Sequence, residues 1–384
     1  MVIITLVGII YSISILTLVI TYFVYPIIID KILPTNEKDI RDTVGKLYII
    51  IPAYNEENVL EKKVLNSIKF GCENCSVVIV SDGSTDRTNA IGEKLSTTYE
   101  KVLFYINTMR GGKNICLNLA FEKISPDKND ILIFTDCNTF FDENSINEIV
   151  RSLKDGAALV GGSMVYEKMA TGSAKSEGLY WKYEEWLRKK ESLKGRLIVC
   201  NGGLFGMWSN RFEELKAFVP NDFEAPLRLS GSNLYVAFNE KALGIESAIN
   251  DPSEEYRRKE RMANRQMNCI KTLWKRINTG TKIQVLFHKV IRWYGLHIFL
   301  ISTLLLLLIK LSAGNIFVDL LLLMHVLIFS LIFLSWINLY IDIDKKILPK
   351  ILHAVKVHIY GARGASKALS GNKTSIWEKA STNR

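Results

Sequence analysis

Asp136 and Asn138 stand two residues apart where the apolar run Ile131–Phe134 ends. That run is rich in β-branched and aromatic residues, as in a strand covered on both faces. At the carboxyl end of a parallel strand, oxygens at i and i+2 can point into one crevice, where open α/β sheets bind ligands. Hard divalent cations take oxygen ligands, and Mg²⁺ often takes one or two from protein and the rest from phosphate. The pair reads as the metal–diphosphate corner of a nucleotide-sugar site. The same spacing is also that of a plain strand end followed by a polar turn. Lys113 follows two glycines at the start of a helical pattern. Its amine and the helix N-terminus both favour phosphate oxygens, although a solvated lysine would look the same.

The elements that would hold these residues alternate. Strands are expected at Leu47–Ile51, Val77–Ser81, Val102–Asn107, Ile131–Thr135 and Ala158–Met164. Helices are expected at Asn55–Phe70, Thr85–Leu95, Lys113–Lys123 and Ser145–Leu153. Such alternation indicates βαβ units and a mainly parallel sheet. Right-handed crossovers put every strand-to-helix turn on one edge. Four polar turns then gather there: Pro52–Glu57, Ser81–Thr88, Arg110–Asn114 and Asp136–Asn138. Each has a plain reading, with Gly83 in a tight bend and Thr85 or Asp86 as a cap. Neither GxGxxG nor GxxxxGK[ST] is present, which disfavours a dinucleotide fold or a P-loop.

Hydrophobic residues make up 48% of the 384 and concentrate at the two ends. Val2–Ile29 holds no charged side chain, and further apolar runs cover Trp293–Ile309 and Leu320–Ile341. Each approaches or exceeds the roughly 20 residues that cross a bilayer core. No basic residue precedes the first run, so it reads as a retained anchor rather than a cleaved signal. Lys31, Lys38, Arg41 and Lys46 follow the first run, Lys282, Lys289 and Arg292 precede the second, and Lys345, Lys346, Lys350 and Lys356 follow the third. By the positive-inside bias the middle domain and C-terminus are cytoplasmic, in the plasma membrane, with the N-terminus outside. The net charge of +10 therefore points to lipid headgroups and not to nucleic acid. The mixed basic and apolar segments Lys271–Arg292 and Lys345–Leu369 read as interfacial helices. The expected division is residues 1–29, a cytoplasmic domain 46–270, an interfacial segment 271–292, two spans in 293–341 and a tail 342–384. Cys116, Cys137 and Cys200 read as reduced thiols, and Cys72–Cys75 is a lone CxxC without a second ligand pair for zinc.

In order along the chain, Pro52-Ala53-Tyr54-Asn55-Glu56, Asp82-Gly83-Ser84-Thr85-Asp86, Gly112-Lys113 and Asp136-Cys137-Asn138 resemble the motif series of family 2 glycosyltransferases. The similarity continues through Tyr180–Glu184, Asn201-Gly202-Gly203, Asn221–Glu224 and Arg257–Arg261, and ends with Ile376-Trp377 and Arg384. The flanking spans are similar to the membrane-integrated branch that includes cellulose, hyaluronan and poly-N-acetylglucosamine synthases.

The resemblance implies an inverting enzyme with a GT-A cytoplasmic domain, one N-terminal and two C-terminal transmembrane helices. It implies that Pro52, Tyr54 and Glu56 line the base and ribose of a nucleotide sugar, expected to be UDP-linked, and that Asp82 accepts a hydrogen bond from the base. Lys113, Arg258 and Arg261 would meet the diphosphate. Asp136, with Asn138 in place of the family's usual second acid, would share Mg²⁺ or Mn²⁺ with it. Asp222 would be the general base, where its plain reading is a helix cap. Gly202 and Gly203 would admit the acceptor sugar. Arg258 and Met262 replace the family's glutamine and tryptophan, which weakens a case for processive addition. The expected reaction is transfer to a lipid-linked or other membrane-associated glycan acceptor. The alternatives are a processive β-polysaccharide synthase, which with three spans would need an oligomer or export partner, and a degenerate nucleotide-sugar-binding scaffold.

Overall fold

Side chains of the central strands divide residue by residue between two cores. Leu47, Ile49, Ile51, Val77, Ile79, Ile131 and Ile133 face one way, and Tyr48, Ile50, Val78, Val80, Leu132 and Phe134 the other. The alternation follows from the two-residue period of a strand. Both faces are apolar because both are roofed by helices. Burying each such side chain contributes about 1.5–3 kcal/mol. The computed structural model describes residues 2–71, 74–167, 172–247, 252–341, 343–344 and 346–374. Cys72, Glu73, Lys345 and the tail residues Ile376, Trp377 and Arg384 lie outside the described residues.

The strands are β1 Leu47–Ala53, β2 Cys75–Asp82, β3 Val102–Asn107, β4 Ile131–Thr135, β5 Phe140–Phe141, β6 Leu159–Glu167, β7 Leu204–Trp208 and β8 Val236–Ser247. They form one sheet in the order β3-β2-β1-β4-β7-β6-β8-β5. β1 pairs in parallel with β2 and β4, and β2 with β3. β7 joins β4 and β6 antiparallel, β8 lies parallel to β6, and β5 closes the edge antiparallel to β8. Helices Leu60–Phe70, Thr88–Thr98 and Ser145–Lys154 cover one face, and Lys113–Ile124 and Asn221–Gly231 the other.

The first two helices start later than the sequence pattern predicts. Asn55 has φ 53°. Its amide donates to Ser84 Oγ at 3.1 Å, and the Glu56 amide donates to Thr88 Oγ1 at 2.8 Å. In return the Thr85 amide donates to Asn55 Oδ1 at 2.8 Å, and the Arg87 amide to Glu57 Oε2 at 3.1 Å. The two turns thus satisfy each other's backbone groups, and each helix begins only beyond them.

Among the described residues, three helices are long and apolar enough to cross a membrane: Val2–Ile32, Thr279–Ala313 and Ile316–Ile341. The stretch expected as one interfacial helix over Lys271–Arg292 is divided. Its start completes the helix Pro252–Leu273, and its end is the first part of Thr279–Ala313. Asn278 caps the restart: its Oδ1 accepts from the Thr281 amide at 2.8 Å, and its Nδ2 donates to the Gly231 carbonyl at 3.0 Å. A π-helical turn, Leu286–Val290, brings His288 and Lys289 inward. There they meet the helix Gly172–Ser192. His288 Nδ1 lies 2.7 Å from Glu191 Oε1, and Lys289 Nζ 3.3 Å from Glu184 Oε2. Arg292 Nη1 lies 2.6 Å from Glu184 Oε1. Tyr25 of the first span donates to Glu191 at 2.8 Å. Burial alone would raise the pKa of Glu184; Arg292, Lys289 and His288 outweigh it and hold the carboxyl well below its ordinary value. The helix Leu348–Leu369 packs along Pro252–Leu273 so closely that a Cβ on Gly364 would lie 2.1 Å from the Glu260 carbonyl oxygen.

Candidate active site

The parallel strands all end on one edge, so their following turns converge. Asp82, the last residue of β2, is buried. Its Oδ1 accepts from Asn107 Nδ2 at 3.0 Å and from the Gly111 amide at 2.8 Å, and its Oδ2 accepts from the Gly112 amide at 2.8 Å. One carboxylate thereby ties the turn after β2 to the turn after β3. Gly112 has φ 90°, a conformation that favours glycine, and its geometry launches the helix Lys113–Ile124 toward the site. Tyr54 lies under the Arg110 guanidinium, 3.9 Å from the ring centroid.

Lys113 Nζ donates to Asp136 Oδ1 at 2.5 Å and to the Gly202 carbonyl at 3.0 Å. A Cβ on Gly202 would lie 3.3 Å from Asp222 Oδ2 and 3.7 Å from Lys113 Nζ. Asp136, Lys113, Gly202 and Asp222 are therefore one cluster, built from β4, the Lys113 helix, the β7 approach and the helix Asn221–Gly231. Asp222 lies inside the first turn of that helix, with no side-chain cap at its start. Burial pushes the Asp222 carboxyl above its ordinary value and Asp136 adds to this, while Lys113 and Arg265 pull it back.

These groups line a cavity of about 510 Å³. Gly203, Glu246, Arg188, Arg258, Arg261 and Arg265 share its wall. It extends to Tyr22 of the first span, Trp293 of the second, and Lys350, His353 and His358 of the helix Leu348–Leu369.

Residues 48–216 match the family model "Glycosyl transferase family 2". That stretch, a little under half of the chain, is similar to family 2 glycosyltransferases. A GalNAc(5)-diNAcBac-PP-undecaprenol beta-1,3-glucosyltransferase of Campylobacter jejuni is 21% identical over 174 residues, covering 45% of this chain and 54% of that protein. Glycosyltransferase AglE of Haloferax volcanii is 27% identical over 170 residues, covering 42% of this chain and 53% of its own. The chain spans about half the length of these two relatives. A solved mannosyltransferase of Pyrobaculum calidifontis, in complex with GDP-Man and Mn²⁺, aligns over 95% of this chain and 100% of its own, with TM-score 0.68 and 16% identity. The fold is GT-A.

Lys113, Asp136, Gly202, Gly203, Asp222, Arg258 and Arg261 meet at the cavity. Pro52, Tyr54, Glu56, Asp82 and Asn138 are not among the residues that line it. Among the described residues no three His, Cys, Asp or Glu side chains form a metal cage. The oxygen groups available to a cation are the Asp136 and Glu246 carboxylates, both lining the cavity, and the Asn138 amide two residues after Asp136. That suits a hard cation completed by phosphate oxygens.

Three residues escaped the sequence reading. Glu246 is the last but one residue of β8, a strand that the residue pattern did not predict. Arg265 follows Arg258 and Arg261 at i+7 and i+4, one helix face; its Nη2 donates to the Val219 carbonyl at 2.6 Å and braces the approach to Asp222. Arg188 donates to Asn201 Oδ1 at 2.8 Å, just before the Gly202-Gly203 turn. Nothing in the sequence near Arg188 marked it.

Proposed function

We propose that this protein is a membrane-anchored inverting glycosyltransferase that moves one or a few sugars from a nucleotide-diphosphate donor to a lipid-linked glycan or lipid acceptor. The observation that carries the reading is the Lys113 ammonium, held between Asp136 and the Gly202 carbonyl beside Asp222, in a cavity that continues to the membrane helices. The Campylobacter relative, whose name describes an undecaprenyl-diphosphate-linked glycan, supports a lipid-linked acceptor. The GDP-Man and Mn²⁺ of the structural neighbour support a nucleotide-sugar donor and a divalent ion. The basic clusters beside the spans support a cytoplasmic catalytic domain.

In this reading the acceptor oxygen attacks the anomeric carbon from the face opposite the nucleotide. The new C–O bond forms as the bond to the diphosphate oxygen breaks, through an oxocarbenium-like transition state. Asp222 takes the acceptor's proton. Its raised pKa suits a base. Lys113, Arg258 and Arg261 face the charge that grows on the leaving diphosphate. Asp136, with Glu246 and Asn138 near it, would hold Mg²⁺ or Mn²⁺; the ion, when bound, neutralises part of that same charge. Gly202 and Gly203 leave space where any Cβ would crowd Asp222 or Glu246. Three candidate spans and the replacement of the family's glutamine and tryptophan by Arg258 and Met262 favour limited addition over a polymer channel.

The test is Asp222→Asn in the purified full chain, with donors screened by nucleotide release in the presence of membrane extract. Transfer should fall about 10²–10⁴-fold while donor binding is kept. Wild-type turnover in that variant would remove Asp222 from the mechanism.

A further inference from the structure

Lys63 belongs to the buried face of the helix Leu60–Phe70, with Leu60, Val64 and Ser67. An apolar side chain is expected at that place in the helical repeat. Instead an ammonium lies there at 0% exposure. Its Nζ donates to Thr135 Oγ1 at 3.0 Å and to the Thr139 carbonyl, and it lies 3.5 Å from the centroid of the Phe141 ring. Thr135 and Thr139 bracket Asp136-Cys137-Asn138, so the buried charge grips both ends of the loop that presents Asp136. Thr139 also donates its hydroxyl to Glu246 Oε1. A single threonine therefore links a buried cation to a carboxylate on the cavity wall. A Cβ on Gly203 would lie 2.6 Å from Thr139 Oγ1 and 3.1 Å from Glu246 Oε1, so the acid is packed in place.

The electrostatics agree with this layering. Burial pushes Lys63 down to about 7, while Cys137, Asp136 and Glu246 pull it upward. Burial pushes Glu246 up, Asp136 adds to the rise, and the Thr139 hydrogen bond, Arg258 and Lys113 oppose it. A buried ammonium is retained at a desolvation cost that a methionine of similar length would not incur.

We propose that Lys63 and Glu246 set the charge of the donor-diphosphate corner: Glu246 stands in for the acid absent at Asn138, and Lys63 is a resident cation beneath the loop that reduces the corner's demand for a divalent ion. The proposal rests on Asp136 being that corner. Lys63 acts through the loop and through its field, as a positioning residue. Glu246 faces the ligand directly. Below about pH 7 Lys63 carries its charge; a positive charge there attracts a diphosphate and repels a metal ion, so measured in that range the two ligands report its removal with opposite signs.

The experiment uses the full chain purified in detergent. UDP and GDP binding is measured calorimetrically in EDTA, and Mn²⁺ binding is measured without nucleotide from its paramagnetic resonance signal. In Lys63→Met, metal-free affinity for whichever nucleotide binds should fall about tenfold, and Mn²⁺ affinity should rise severalfold. In Glu246→Gln, which keeps shape and the Thr139 contact, both signs should reverse. Loss of both ligands together in a cooperatively folded Lys63→Met would mean a packing role and overturn the proposal, as would unchanged constants. If Lys63→Met does not fold, Glu246→Gln decides, and an unshifted Mn²⁺ affinity there sinks the assignment. If the wild-type chain binds neither nucleotide, with or without Mn²⁺, the donor-site reading itself fails and takes this proposal with it. A wild type that binds beside unchanged variants sinks the proposal alone.

Discussion

The two halves of the domain hold their functional residues by different means. In the parallel half, β1 to β4, the polar turns lock one another through short side-chain to backbone bonds, and Asp82 alone fastens the Gly111-Gly112 turn from two directions. In the other half, Asp222, Arg258, Arg261 and Arg265 ride on helices whose position is set by partners far along the chain. Arg265 grips the Val219 carbonyl, Gly364 admits the Leu348–Leu369 helix against Glu260, and the spans grip the Glu184–Glu191 helix through buried ions. The difference teaches that the Asp82 and Asp136 side of the cavity is pre-organised locally, whereas the side carrying Asp222, Arg258, Arg261 and Arg265 depends on the membrane helices being in place.

The sharpest way to break that comparison is at Glu184. Glu184→Gln leaves Arg292 and Lys289 facing an uncharged amide, which should cost about 3–5 kcal/mol of stability. Because the folded-state pKa of Glu184 is depressed, its contribution is present above the unfolded carboxylate pKa and is lost as pH falls through the folded value. Thermal unfolding across the acid range should thus be flatter in the variant than in the wild type. Metal-dependent nucleotide binding should survive in detergent while transfer to a membrane acceptor is lost. Equal loss of both would mean the halves are not separable.

Lys113→Met removes the charge that lies between Asp136 and Asp222, and should slow transfer about 10²–10³-fold. Asp82→Asn keeps the shape but turns an acceptor into a donor against the glycine-turn amides. It should weaken donor binding by about 1–3 kcal/mol with little change in acceptor KM. An effect confined to the acceptor would contradict the local wiring of the first half.

A smaller effect concerns protons. The Asp222 carboxyl is raised, so its base form is lost as pH falls through a value above that of an ordinary aspartate. The acid limb of kcat/KM should sit above the ordinary carboxylate range, and Lys113→Met should move it higher still. Stability runs the other way. A raised carboxyl favours the fold below its unfolded pKa and penalises it once ionised, so Asp222→Asn should unfold at a slightly higher temperature at neutral pH. At the bottom of the scale, breaking the exposed Lys94–Glu61 pair at 3.9 Å should change stability by no more than about 0.5 kcal/mol.

The contrast also explains what was legible in the sequence. β3 and β4 match their predicted bounds because an uninterrupted apolar run between turn residues has few other ways to be buried. The helices after β1 and β2 start late because residues 55–57 and 84–88 spend their amides on each other's side chains, a pairing across about 30 residues that no local window contains. Lys113, Asp136, Gly202 and Asp222 were legible through motif order, and the structure gathers them. Glu246 and Lys63 were not, since an acid closing an edge-side strand and a lysine on a helix read as solvated until the sheet order brings β8 and the Leu60–Phe70 helix to the same loop. The break at 274–278 was hidden for a similar reason, because Asn278 bonds to Gly231 on another element.

The π-helical turn at Leu286–Val290 has a practical corollary. Truncating the gene before residue 279 to obtain a soluble fragment would strip Glu184 and Glu191 of the histidine, lysine and arginine that surround them, and would leave two carboxylates stranded in an apolar interface. Such a fragment would express as aggregate or as a loosened globule, however intact its nucleotide half, so crystallisation and screening efforts belong with the detergent-extracted whole.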